Sequence, residues 1–203
     1  MLNLPYQKQH MLGPIIVVLI SITLALIAPI TSELLAYKYD EIASGQWWRL
    51  LSGHFLHTNT YHLLLNLLGT ILLWALHGHY TKTSEYLGIL LLLSLSTSIG
   101  LFFFAPQLKW YVGLSGILHG LFILGAYLDI KHHLKTGWVM LGGILIKVLN
   151  EQMYGASDEV AQLIDANVAI DAHLFGALSG LLLICGFMLK NKLNQLKDSS
   201  PPL

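Results

Sequence analysis

Charge is scarce in this sequence. Only 11% of its 203 residues are Asp, Glu, Lys or Arg, against about 25% in soluble domains, so the chain is not built to be surrounded by water. The charges it does carry cancel, 11 basic against 11 acidic. That removes bulk positive charge as a means of holding nucleic acid, which is not expected as a partner. Cysteine is reduced to Cys185 alone, which excludes an intramolecular disulfide, and its apolar setting "LLLICGFM" predicts simple packing. Without a cysteine cluster there is no zinc-type spacing, and ten histidines alone do not make a site, so neither a metal nor another cofactor is expected. A secretory leader is not expected either. The first apolar run, Met11 to Ile30, is broken by Gly13, Pro14 and Pro29 and has no clear small-residue cleavage site.

Long apolar runs are what the chain has in abundance: 55% of residues are hydrophobic and the mean hydropathy is +0.63. Met11–Ile30 has about the 20 residues needed to cross a bilayer core. Five further segments follow, near Tyr61–Leu76, Tyr86–Phe104, Val112–Leu128, Trp138–Tyr154 and Val168–Leu189. Several contain Gly, Ser and His, as expected of helices that pack on one another and not only on lipid. The expected fold is an all-α integral membrane protein with six transmembrane helices. Residues 1–10 form an N-terminal segment, 11–189 the six-span domain and 190–203 a tail ending in the polar "KDSSPPL". Basic residues orient the bundle. With both termini cytoplasmic, Lys8, Lys82, Lys131, Lys135, Lys190, Lys192 and Lys197 fall inside, and only Lys38, Arg49 and Lys109 fall outside.

This direction brings certain polar residues to one level. Spans 2, 4 and 6 all enter from the outside. His62 and Asn66 lie in the first two turns of span 2, Ser115 near the start of span 4, and His173 a few residues into span 6. At 1.5 Å per residue each sits within about 10 Å of the outer surface. Taken singly, each has a plain reading: His62 and Asn66 are spaced i, i+4 and can satisfy one another, Ser115 can bond its own backbone, and His173 can be a packed histidine. Jointly they fit acyl transfer. A hydroxyl needs a base, which a neutral histidine supplies near pH 7, and the oxyanion needs donors aimed at it beforehand. His62, the Asn66 amide and the Ser115 backbone N–H are the candidate donors, and Gly113 and Gly116 would let a substrate backbone approach the serine.

The motifs resemble those of rhomboid intramembrane serine proteases. "WWRLLSGHFLHTNTYHLLLN" (Trp47–Asn66) is similar to the family's Trp-Arg loop and His-x-x-x-Asn helix, "GLSG" (Gly113–Gly116) to its nucleophile motif, and "HLFGALSG" (His173–Gly180) to the helix carrying its base. They occur in family order. The resemblance implies a rhomboid-like bundle in a bacterial inner membrane and a dyad of Ser115 and His173 with no required acid. It assigns oxyanion support to His62 and Asn66, and close packing of spans 4 and 6 to Gly176 and Gly180. Many rhomboids have a tyrosine one turn after the serine, stacked on the base; here that position is His119. "SGILHG" together with "GQWWRLLSGHFLH" resembles the rhombosortase branch, which is associated with membrane-protein substrates bearing a C-terminal Gly-Gly, a transmembrane helix and a basic tail.

Other polar residues have simpler roles. Ser179 lies about 9 Å beyond His173 along the same helix and is expected to pack. Asp171 points away from His173 and suits the helix start. His54 and His57 are expected to hydrogen-bond within their loop. His77, His79, His132 and His133 fall at the opposite face. Lys147 and Glu151 form an i, i+4 pair that satisfies itself inside span 5, ahead of a contact to substrate. The competing functions are an inactive rhomboid-like escort of membrane proteins, which the intact Ser115 and His173 argue against, and a small transporter, which the lack of internal symmetry disfavours.

Overall fold

The structure, a computed structural model, describes residues 4–198. Its helices are α1 (Lys8–Leu26), α2 (Ile30–Leu35), α3 (Tyr39–Ala43), α4 (Arg49–Ser52), α5 (Thr60–His77), α6 (Thr83–Phe104), α7 (Ser115–Lys131), α8 (Thr136–Tyr154), α9 (Asp158–Ile164) and α10 (Ile170–Asp198). Two short strands, β1 (Tyr37–Lys38) and β2 (Trp110–Tyr111), pair antiparallel with Tyr37 opposite Tyr111. Among the described residues four helices are long and apolar enough to cross a membrane: α1, α5 with the turn after it, α6 and α10. The remaining two of the bundle differ from them: α7 has 17 residues, and α8 carries Lys147 and Glu151.

The expected first span is shorter than the apolar run. α1 stops at Leu26, and α2 begins only at Ile30. Pro29 accounts for the break, because it lacks an N–H and its ring disfavours helical geometry at the residue before it. At the other end, α10 runs past the expected boundary at 189 to Asp198, so the first part of the tail is helical; residues 199–203 of the polar end lie outside the described residues. Cys185 is exposed on α10 and is not packed as its apolar neighbours implied. The helix at the expected fourth span begins later than Val112, with Ser115 as the first residue of α7.

α7 is the centre of the bundle. It packs on α10 most extensively, then on α8, α5 and α6, and contributes Ile117, Ile123 and Leu124 to a core with Val17, Leu93 and Ile144. The outward faces remain apolar: Leu19, Leu68, Leu72, Leu92 and Leu182 are all exposed. In lipid such a surface is solvated and needs no further cover, while every helix satisfies its own backbone.

The α7–α10 contact is set by two interlocking glycine pairs. Gly116 and Gly120 on α7 face Gly176 and Gly180 on α10. A Cβ on Gly176 would collide with the Gly116 carbonyl, and one on Gly180 would come within 2.6 Å of the Gly120 carbonyl. Without side chains between them the two backbones touch, the packing typical of small residues four apart in membrane helices. Gly116 therefore serves helix packing, where the sequence had pointed to substrate approach: its Cβ would meet the Ala172 carbonyl at 2.9 Å. Ser115 is the neighbour of Gly116 and His173 of Ala172, so this contact also sets the distance between them.

At the end of the bundle where α7 begins, Asn59 caps α5 by accepting the His62 N–H at 2.9 Å. The buried Arg49 guanidinium ties the α2–α4 segment together through the Ala36 and Glu33 carbonyls and the Gln46 side chain.

Candidate active site

Ser115 Oγ lies 3.0 Å from His173 Nε2. The other ring nitrogen, Nδ1, is 2.8 Å from Glu151 Oε2 on α8, whose second oxygen receives Lys147 Nζ at 2.5 Å. An ionised carboxylate only accepts, so Nδ1 carries the proton and donates it, leaving Nε2 as the lone pair facing the serine hydroxyl. Glu151 is therefore not satisfied by Lys147 alone, as its spacing implied, and the serine–histidine pair does have an acid behind it. Asp171 takes no part: its carboxylate accepts from Gln107 at 3.2 Å.

His119 sits one turn after Ser115. Its ring lies 4.1 Å from that of His173, 14° from parallel, and its Nδ1 is 2.7 Å from the Ser115 carbonyl. A carbonyl can only accept, so His119 is protonated at Nδ1, and its Nε2 is buried without a partner.

His62 and Asn66 lie across the site, on α5. They do not satisfy one another: Asn66 Nδ2 is buried without a partner. His62 is held from the other side by Thr58, whose backbone N–H donates to Nδ1 at 3.4 Å. The Thr58 hydroxyl donates to the Ile164 carbonyl at 2.6 Å and lies 3.1 Å from Nδ1. His62 Nε2 faces Gly113. Gly113 has φ +125°, which a side chain resists, and a Cβ there would lie 2.7 Å from that same Nε2. The Ser115 N–H is in the first turn of α7, with no carbonyl of its own helix behind it to accept.

Ser115 stands where two cavities meet. One, of about 480 Å³, opens between α5 and α8 and is lined by Asn66, His119, Lys147, Glu151 and His173. The other, of about 260 Å³, lies beneath the segment before α7 and is lined by Thr58, His62, Tyr111 and Val168. Helix α9 borders both through Ile164 and is tied to the start of α5 by Thr58 and Asn59.

A family model described as the rhomboid domain matches residues 44–190, more than two thirds of the chain. The chain belongs to the rhomboid family. It is similar to the rhomboid relative YdcA of Bacillus subtilis (strain 168), with 30% identity over 145 residues, 70% of this chain and 68% of the relative. The family is one of serine intramembrane proteases, and with its apolar helices this rhomboid is an integral membrane protein.

The remaining polar residues of the rhomboid fall into place around this centre. Tyr111, not anticipated from the sequence, is buried with its hydroxyl 2.5 Å from the Gly113 carbonyl and 3.3 Å from His54 Nδ1; burial pushes its phenol pKa up. His54 bonds Ser94 and Ser98 of α6 through Nε2, and burial lowers its pKa to about 4. His57 departs from expectation. Neither of its ring nitrogens has a hydrogen-bond partner; the ring packs edge-on to His62 at 5.0 Å, and burial, with His62 beside it, lowers its pKa to about 3. Ser179 bonds back to the Phe175 carbonyl at 2.7 Å and is buried in the bundle. His77 lies at the far end of α5 beside Asp129, away from Ser115.

One atom each from His119, Glu151 and His173 lies within 4.8 Å of the others, close enough to raise the question of a metal. The arrangement suits one poorly. Stacked rings direct their in-plane lone pairs side by side, whereas a tetrahedral ion needs them to converge. Both nitrogens of His173 are engaged, and an ammonium already occupies Glu151.

Proposed function

We propose that this rhomboid is an intramembrane serine endopeptidase in which Ser115 is the nucleophile and His173 its general base. The observation that carries the reading is the 3.0 Å contact between Ser115 Oγ and a His173 Nε2 left bare by the proton on Nδ1. As Ser115 Oγ attacks the scissile carbonyl, its proton passes to Nε2 and the carbonyl becomes a tetrahedral oxyanion. Donors for that oxygen are the unpartnered Asn66 Nδ2, the Ser115 N–H and the His62 ring when its proton is on Nε2. The intermediate collapses as His173 returns the proton to the leaving amine. Water, deprotonated by the same nitrogen, then attacks the acyl-enzyme, and Ser115 leaves with the proton.

The same reading places α7 and α8 as two further spans, six in all, with both termini in the cytoplasm. The site then lies near the outer face of a bacterial inner membrane. The distribution of Lys and Arg supports that orientation, and α7 and α8 pack inside the bundle beside the four longer apolar helices. Substrates are single-span membrane proteins entering by the α5–α8 opening. The "SGILHG" sequence favours the rhombosortase class, with a C-terminal Gly-Gly, a transmembrane helix and a basic tail.

Labelling with a fluorophosphonate probe tests the reading. Wild type and Ser179→Ala should be labelled and Ser115→Ala should not. Equal labelling of Ser115→Ala would remove this nucleophile, and an unlabelled wild type would favour the escort function. A reporter ending in Gly-Gly, a transmembrane helix and a basic tail should be cut, and one with Val-Val in place of Gly-Gly should be spared.

A further inference from the structure

We infer that Glu151 is a positioning residue for His173, and that Lys147 sets which of its oxygens does the positioning. The inference rests on the protease reading above. Glu151 is nine-tenths buried, and its two oxygens have different partners: Oε2 takes the Nδ1–H of His173, and Oε1 takes the ammonium of Lys147. The Lys147 contact fixes the carboxylate from the cavity side, because Lys147 is one turn along the same helix and its side chain is half exposed. The carboxylate in turn holds the His173 ring with Nε2 toward Ser115. Stacking on His119 fixes the plane of that ring but not which nitrogen carries the proton; only Glu151 makes that choice. His173 lies on α10 and Glu151 on α8, the helix that borders the lateral opening, so the base is fully oriented only while α8 stays packed at this level.

Lys147 makes the inference sharply testable. In Glu151→Gln the side chain keeps its shape but has one acceptor oxygen and one NH2. The Lys147 ammonium can only donate, so it claims the oxygen and turns the NH2 toward Nδ1 of His173. Nδ1 must then be bare and Nε2 protonated, and a protonated Nε2 cannot take the proton of Ser115. Removing the ammonium with Lys147→Met lets the amide turn over, present its oxygen to Nδ1–H and restore the working tautomer.

The full-length protein, in detergent, is compared as wild type, Glu151→Gln, Lys147→Met and the double variant. Readouts are the fluorophosphonate labelling rate, kcat and KM on a transmembrane reporter, and thermal midpoint. Glu151→Gln should lower the labelling rate and kcat by about 100- to 10,000-fold, the range up to the loss seen when a triad carboxylate becomes an amide, with KM and the thermal midpoint little changed. Adding Lys147→Met should recover at least about tenfold of that loss, since the penalty is tautomeric and not a lost contact. Wild-type rates in Glu151→Gln, or no recovery in the double variant, would overturn the inference while leaving the protease reading intact. A wild type that neither labels nor cleaves would overturn both.

Discussion

The imidazoles of His119 and His173 are stacked, 4.1 Å apart and 14° from parallel, with His119 Nδ1 on the carbonyl of the residue that bears the nucleophile. His119 thus joins the start of α7 to the base on α10. Its ring is a flat wall for His173 and adds no second hydrogen bond to it. A tyrosine retains the wall, so His119→Tyr should keep measurable labelling by a fluorophosphonate. His119→Ala leaves a gap beside the base and should label more slowly than His119→Tyr, while a thermal midpoint taken alongside separates a loose base from a loose bundle. A fully active alanine variant with a dead tyrosine variant would mean that His119 only fills space.

Much of this centre was legible because helices have a fixed rise. Three segments entering from one side carry their first-turn residues to a common depth, which is why Ser115, His173, His62 and Asn66 were found together from the sequence. The role of Glu151 was hidden by Lys147. A carboxylate with an ammonium at i, i+4 looks complete on its own helix, and nothing in the spacing shows that its second oxygen reaches α10. Tyr111 was hidden differently. It lies on β2, outside any helical periodicity, and its link to Gly113 and His54 depends on a turn that the sequence does not place. The end of α1 was misread because hydropathy continues through Pro29 while the backbone cannot. Cys185 was misread because, in a membrane, an apolar neighbourhood is as much a sign of the lipid-facing surface as of the core.

Asn66 is expected to matter to rate more than to folding. Its Nδ2 is buried on the active-site cavity with no partner to lose. Asn66→Ala should lower kcat by about 100- to 1,000-fold, the usual cost of removing one oxyanion donor, with little change in KM on a transmembrane reporter. His62→Ala should be slower than wild type as well, and the double variant slower than either. Wild-type kcat in the double variant would take both residues out of the oxyanion role.

Acid should loosen the loop that precedes α5. His54 is buried and neutral, with a pKa near 4 against an ordinary value of 6.5, and His57 is shifted the same way to about 3. Both are lowered, so the unfolded chain binds protons more readily than the folded one. Their contribution to stability is complete above about pH 6.5 and is lost as the pH falls toward 4. For His54 alone the full loss is on the order of 3 kcal/mol. The thermal midpoint in detergent should fall between pH 7 and pH 5, and the fall should be smaller in His54→Gln, which cannot titrate. Equal pH dependence in wild type and His54→Gln would rule out His54 as a source.

The last expectation concerns Gly176, where helix packing and chemistry are inseparable. A methyl group at this position would enter the Gly116 backbone, and backbone cannot swing aside as a flexible side chain can. Gly176→Ala must therefore push α10 away from α7, at a cost of about 1–3 kcal/mol for an overpacked contact. The displacement falls one turn from His173, opposite the residue that follows Ser115. The 3.0 Å contact between base and nucleophile has little slack, and a separation of even 1 Å at reacting groups can cost about 100-fold in rate. Gly176→Ala should therefore lose labelling far beyond what its drop in thermal midpoint implies. Gly143 on α8 supplies the control, being a helical glycine with open space around its Cβ position. Gly143→Ala should gain roughly 0.5–1 kcal/mol from helix propensity and label normally. If Gly176→Ala instead labels at the wild-type rate, the α7–α10 contact does not set the distance between Ser115 and His173.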